Sequence, residues 1–377
     1  MIDNSSAVDP DGLMEFSVVF TDRSLNHMSV AFRKVMTDIS GLLKEVYNAD
    51  AAVIVPGGGT YAMEAVARQF ATNRKTLVIR NGWFSYRWTQ IFEAGDIPGE
   101  QIVLKARPTG NDLPAPYEPC PIDDVVKSIR EERPGAVFAP HVETSSGIML
   151  PDDYMKAVAD AAHEVGALFV LDCIASGTVW VDMKATGVDV LISAPQKGWS
   201  ASPSAGLVML SERGLAELQE TRSSSFAVDL GKWHQIMQAY ENGGHAYHST
   251  MPTDALTGFR DTMLETQAIG FEKLREQQLK LGRDVRKLLA ERGYRSVAAT
   301  GFEAPGVVVS YTDDPGIQNG KKFAEHGMQI AAGVPMMCDE PEGFSTFRLG
   351  LFGLDKLADT NAAVGKLDKV LSKITSM

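Results

Sequence analysis

The sequence predicts an α/β fold, a mostly parallel β-sheet covered on both faces by helices, followed by a smaller α+β unit. Two observations carry this. Over roughly the first 260 residues, apolar runs of four to six residues alternate with segments of helical period. Such alternation is what a parallel sheet needs, because each parallel connection must cross over, usually through a helix. From about residue 254 the alternation stops and a long stretch poor in helix breakers begins.

Taken in order, residues 51–55, 76–79, 136–139, 167–171, 188–193 and 206–210 read as buried strands, several of them rich in β-branched side chains. Residues 60–71 put Met63, Val66, Ala67 and Phe70 on one helical face, and residues 152–165 do the same with Met155, Val158, Ala159 and Ala162. The proline-bearing stretch 107–121 reads as an irregular surface loop. Residues 254–289 are expected to form one long helix, with strands at 306–310 and 346–350 and a helical end from Lys356. The predicted organisation is an N-terminal arm (1–24), a large α/β domain (25–255) and a linking helix with a small α+β domain (256–377).

Of 377 residues, 44% are apolar and 22% charged, the balance of a globular chain, and 36 Lys plus Arg against 48 Asp plus Glu leave a formal charge of -12. An acidic chain has no general attraction for phosphate backbones or anionic lipid, which argues against nucleic-acid and membrane-surface binding. No apolar run approaches the ~20 residues that span a bilayer. The N-terminus lacks the basic and apolar regions of a signal peptide. Cys120, Cys173 and Cys338 form no paired spacing, so neither a disulfide framework nor a metal site is expected. A cytoplasmic location follows as the expectation.

Three places can carry chemistry. The run Pro56, Gly57, Gly58, Gly59, Thr60 joins a strand to a helix, where free N–H groups and the positive dipole end attract anions; it equally fits a plain turn. Asp172 ends an apolar strand at the sheet's carboxyl edge, where α/β proteins place ligands. It suits two roles, a cap for the next segment or a partner for a protonated ring nitrogen. Lys197 follows another apolar strand at the same edge; alone it reads as a solvated charge, but a desolvated lysine loses proton affinity and forms imines with aldehydes. Phosphate cradle, carboxylate and lysine on one sheet edge are the parts that hold pyridoxal 5'-phosphate.

On these residues the chain resembles the class V aminotransferases of fold type I, in particular their alanine- or serine-glyoxylate branch, from about residue 25 to 371. The resemblance implies that Gly58, Gly59 and Thr60 hold the cofactor phosphate. Segment 80–87 is similar to the family's Asn-Gly-x-aromatic-Gly stretch, which implies that Phe84 stacks on the pyridine ring. Segment 141–147 is similar to a His-x-Glu-x-Ser-x-Gly loop in which the position of Thr144 contacts the cofactor. Asp172 matches the ring-nitrogen partner, Ile174 the residue under the ring, Gln196 a phosphate or cofactor neighbour, and Lys197 the imine-forming lysine. Tyr247 and Thr250 match a Tyr-His-x-Thr-x-Pro loop that reaches the phosphate of a neighbouring subunit, implying a homodimer with shared sites. Arg348 matches the arginine that grips the substrate α-carboxylate.

The chain departs from the family in lacking the usual Pro-Gly-Pro-type N-terminal segment, in reading Ser-Pro-Ser-Ala-Gly at 202–206, and in its Gly-Gly-Thr-Tyr cradle. The activity implied is ping-pong transfer of an amino group from a small amino acid, alanine- or serine-like, to a 2-oxo acid such as glyoxylate or pyruvate. Cysteine desulfurases and related β-lyases share the scaffold, and Cys338, ten residues before Arg348, stands roughly where a desulfurase carries its thiol. Those enzymes stack a histidine on the ring and place a histidine before the lysine, whereas this chain has Phe84 and Gln196.

Overall fold

A computed structural model describes residues 8–111 and 114–375. Helix α1 (Val30–Tyr47), capped by the Ser29 hydroxyl, leads into strand β1 (Ala51–Pro56), helix α2 (Gly59–Phe70), β2 (Lys75–Arg80), α3 (Trp83–Gly95) and β3 (Glu100–Lys105). Then come α4 (Ile122–Glu132), β4 (Ala136–Pro140), α5 (Asp152–Glu164), β5 (Leu168–Asp172), β6 (Val190–Ser193) and β7 (Ala205–Leu210). The seven strands form one sheet in the order β1-β7-β6-β5-β4-β2-β3, parallel except for β7, which runs against both neighbours. Strands β4 to β7 are buried at every position, so both faces of the sheet are covered. The strands predicted at 51–55, 76–79, 136–139, 167–171, 188–193 and 206–210 all lie in this sheet.

Parallel strands end at one rim. Register pairs Pro140 with Asp172 and Asp172 with Ile192, so the chain leaves β4, β5 and β6 side by side at that rim. β1 and β2 point the same way, which brings the segments after Pro56 and Arg80 there too.

The expected single helix over 254–289 is two helices, α6 (Thr253–Ile269) and α7 (Phe271–Glu291). Gly270 between them sits at φ 103°, outside helical space, and no residue with a Cβ adopts that angle without strain. Stretch 107–121 contains a small pairing of Arg107 and Pro108 with Glu118 and Tyr117. Beyond α7, β8 (Val307–Tyr311), β9 (Ala331–Ala332) and β10 (Thr346–Gly350) form an antiparallel sheet in the order β8-β10-β9, and the chain closes with Leu354–Ala358 and α8 (Thr360–Thr375). One apolar core runs from Leu25 to Met263 around the large sheet and a second from Leu274 to Ile374 under α7 and α8. A third, holding Tyr117, Ala175, Val309 and Cys338, lies where the two sheets meet.

Candidate active site

The turn from β1 into α2 is built of glycine for steric reasons. Gly57 sits at φ 124°, and a Cβ there would fall 2.6 Å from the Tyr61 ring; a Cβ on Gly59 would fall 2.5 Å from Ile174 Cδ1. Helix α2 starts at Gly58 with no side-chain cap, which leaves its first N–H groups to an incoming acceptor. Next along the rim, α3 begins at Trp83 and presents Phe84. Its start is held by the buried Glu143 carboxylate, which accepts from Phe84 N (3.1 Å), Ser85 N (2.8 Å), Ser85 Oγ (2.7 Å), Ser145 N (3.0 Å) and Ser145 Oγ (2.8 Å). One acidic side chain thus ties the Phe84 segment to the Thr144 loop.

At the end of β5, Asp172 accepts from Ile174 N at 2.9 Å and is only 8% exposed. Burial pushes its carboxyl up to about 7; the Ile174 N–H opposes this, Glu143 adds to it, and Lys197 and Arg87 oppose it. After β6, Lys197 stands in a turn with its Nζ 5.2 Å from the centroid of Phe352. Its proton affinity is lowered, above all by burial; Asp172 works against that, while Arg348 and Arg87 lower it further. Lowered proton affinity eases formation of the neutral amine, the form that attacks carbonyls and accepts protons.

Gly59, Thr60, Phe84, Thr144, Asp172, Ile174, Gln196 and Lys197 line one cavity of about 240 Å³, with Met63, Arg87, Val142 and Ala175 completing the wall. Gly58, the N-cap of α2, is not in the wall. Arg348 on β10 approaches from the small sheet: its Cζ is 5.4 Å from the Phe84 centroid, Nε donates to Ala332 O at 2.7 Å and Nη1 to Thr144 O at 3.4 Å. Tyr247 and Thr250 are not in the cavity wall; they hydrogen-bond each other at 3.2 Å on the outside, Tyr247 being 54% exposed.

Sequence reasoning gave no role to Arg87, Glu143 or Phe352. Arg87 was findable, since it falls three residues after Phe84 and therefore on the same helical face. Phe352 reaches Lys197 from a distant part of the chain, and nothing local announces it. Cys338 is 4% exposed, its Sγ donates to Arg80 O at 3.4 Å, and burial pushes the thiol up to about 12. It lies outside the cavity wall, and such a thiol is a poor nucleophile.

The residues fit pyridoxal 5'-phosphate. Thr144 Oγ1 and Gln196 Oε1 are buried without a hydrogen-bond partner among the described residues, two polar atoms that need a polar guest. A buried carboxyl, an uncapped helix start and a depressed lysine in the same cavity match ring nitrogen, phosphate and aldehyde.

Comparison with known proteins agrees. The family pattern for aminotransferase class-V matches residues 15–313. The 2-aminoethylphosphonate–pyruvate transaminase of Paraburkholderia phymatum is 27% identical over 357 residues, 92% of this chain and 89% of that one. The soluble hydrogenase small subunit of a Synechococcus species is 24% identical over 353 residues, 93% of this chain and 88% of that one. Among solved structures, the alanine–glyoxylate aminotransferase of a Nostoc species has the same fold, with a TM-score of 0.77 at 22% identity over 92% of this chain and 89% of that chain. No helix among the described residues is long and apolar enough to cross a membrane. This chain belongs to the class V aminotransferase family of fold type I and is a pyridoxal 5'-phosphate-dependent transaminase.

Proposed function

We propose that the chain moves an amino group from a small, alanine- or serine-like amino acid to a 2-oxo acid such as glyoxylate or pyruvate, in a ping-pong cycle. The convergence of Lys197 and Asp172 in one cavity with the uncapped α2 start carries this reading. The 2-aminoethylphosphonate relative is itself named for pyruvate, in line with a small oxo acid as acceptor.

When bound, pyridoxal 5'-phosphate supplies an aldehyde that takes up the amino group and a conjugated ring that spreads the electron pair freed at Cα. The side chains supply the rest. Lys197 Nζ is the group that removes the proton from Cα and later returns one. Asp172, ionised against a protonated ring nitrogen, holds that proton in place. Phe84 offers a flat face for stacking, and Gly58, Gly59 and Thr60 offer N–H and hydroxyl donors to the phosphate. Thr144, Ile174 and Gln196 bound the ring and phosphate. Arg348, aimed by Ala332 O and Thr144 O, grips the substrate carboxylate.

A homodimer with shared sites belongs to the same reading. The outward Tyr247 and Thr250 have no cavity of their own to serve, and a partner subunit's site is what they would complete. Leu13, Met14, Phe16, Val18 and Phe226 also stand exposed and need cover. Three buried free thiols suit the cytoplasm. The test is a half-reaction screen of the purified, coloured enzyme, adding one amino acid at a time. Bleaching of the near-visible band by alanine or serine, with release of the matching oxo acid, is the expected outcome. A band that no small amino acid bleaches overturns the substrate assignment.

A further inference from the structure

We infer that Arg87 is the counter-charge of the cofactor phosphate, paired with the N-terminus of α2. This deepens the cofactor reading above and rests on it. A phosphate monoester carries about -1.5 to -2 charge near pH 7. The donors so far assigned to it, two glycine N–H groups and the Thr60, Tyr247 and Thr250 hydroxyls, are all neutral, and a helix start contributes only about half a charge. Burying most of a dianion against neutral donors is costly unless a full cation stands beside it.

Among the described residues two basic side chains line the cavity, Lys197 and Arg87, and Lys197 is needed at the aldehyde. Arg87 is already at the phosphate end. Its Nη1 donates to Thr60 Oγ1 at 3.2 Å, its single hydrogen bond among the described residues. Its Cζ stands 5.4 Å from the Phe84 centroid, so the ring that would stack on the pyridine also props the guanidinium. It forms no salt bridge among the described residues, whereas Arg68 pairs with Glu64 and Arg74 with Glu217. A half-buried guanidinium kept free of carboxylates, one turn from the stacking residue and bonded to the first hydroxyl of the anion-binding helix, is arranged for an incoming anion. Arg348, whose Cζ is also 5.4 Å from the Phe84 centroid, is instead tied to Ala332 O of the small sheet and to Thr144 O, so the two arginines divide the work: phosphate for Arg87, substrate carboxylate for Arg348.

The test compares pyridoxal 5'-phosphate with pyridoxal, which lacks the phosphate, as ligands of the enzyme stripped of cofactor, followed by tryptophan fluorescence. In Arg87→Gln, affinity for pyridoxal 5'-phosphate is expected to fall about ten- to hundredfold, the cost of one charge-assisted bond, with affinity for pyridoxal unchanged. Arg87→Lys, which keeps the charge, should recover much of the loss and guards against a folding artefact. An equal loss for both ligands, no loss for either, or an unchanged phosphate preference with a raised KM for the amino donor overturns the inference. A wild-type enzyme that fails to bind pyridoxal 5'-phosphate overturns the cofactor reading beneath it instead.

Discussion

The most informative single perturbation is Asp172→Asn, read as stability against pH in the enzyme stripped of cofactor. In the folded chain the Asp172 carboxyl is pushed up to about 7 by burial, against 3.8 for an ordinary aspartate. The sign follows from proton counting. Between pH 4 and 7 the native state holds a proton on Asp172 that the unfolded chain has lost, so stability falls as pH rises through that window, and below it the loss is absent. The gap of about 3 units, at 1.36 kcal/mol per unit, sets a ceiling of roughly 4 kcal/mol, of which about 2 kcal/mol falls between pH 5 and 7. Asparagine fills nearly the same volume and does not titrate. The expected result is that the wild type loses a few degrees of melting temperature relative to Asp172→Asn on going from pH 5 to 7, while groups common to both variants cancel. Adding pyridoxal 5'-phosphate should erase the difference in slope, because a protonated ring nitrogen gives the carboxylate its partner. Parallel pH profiles for the stripped wild type and variant, or a wild type that gains on Asp172→Asn as pH rises, would show that Asp172 is not the buried, unpaired acid described.

Other substitutions probe the remaining parts. Glu143→Gln turns one acceptor oxygen of a five-donor carboxylate into an NH2 group facing N–H donors, so it should cost roughly 2–3 kcal/mol in urea unfolding and loosen the Phe84 segment, seen as weaker cofactor binding. Gly59→Ala drives a Cβ to within 2.5 Å of Ile174 Cδ1 and should destabilise the chain by about 1–3 kcal/mol; adding Ile174→Val, which removes that carbon, should restore part of it. Arg348→Lys should raise KM for the amino donor about tenfold with cofactor affinity unchanged, since an ammonium cannot make the two-pronged carboxylate contact. Lys197→Ala should abolish turnover and prevent borohydride from fixing the cofactor to the chain, while still allowing phosphate-dependent cofactor binding.

Much of the fold is legible because burial and periodicity coincide. Strands β4 to β7 are covered on both faces, so their sequences are continuous apolar runs bounded by polar or small residues, a signal that needs no tertiary knowledge. β3 escaped because it is the sheet's edge: it pairs only with β2, none of its residues is fully buried, and Glu100–Lys105 reads as a mixed polar segment. β9 is two residues long, too short for any period, and exists because Arg348 and Phe347 on β10 offer it backbone partners. The break at Gly270 was visible as a residue and invisible as an event. Isolated glycines occur within helices, and only the turn that sends α7 back under the second core demands φ 103°.

The site divides along the same line. Asp172 and Lys197 stand out because each follows an apolar strand, and a charge placed there must face the rim; chain order alone puts them in one place. Glu143 and Arg87 have no such signature, since their roles depend on which loops come together. Glu143 is an acid in a loop until five donors from two separate segments converge on it, and Arg87 is a helix-surface cation until the α2 turn is folded against it. Tyr247 and Thr250 extend this by one step. Within one subunit Tyr247 and Thr250 bond each other and the Tyr247 ring lies 5.6 Å from that of His27, so the role proposed for them in a partner subunit's site is one that a single chain does not display. The charge balance explains why such residues must exist. A cavity that buries Asp172 and lowers the proton affinity of Lys197 is suited to the ring and aldehyde but carries too little positive charge for the phosphate at its far end. That charge has to come from a side chain the strand ends do not supply, and on the α3 face beside Phe84 the chain supplies Arg87.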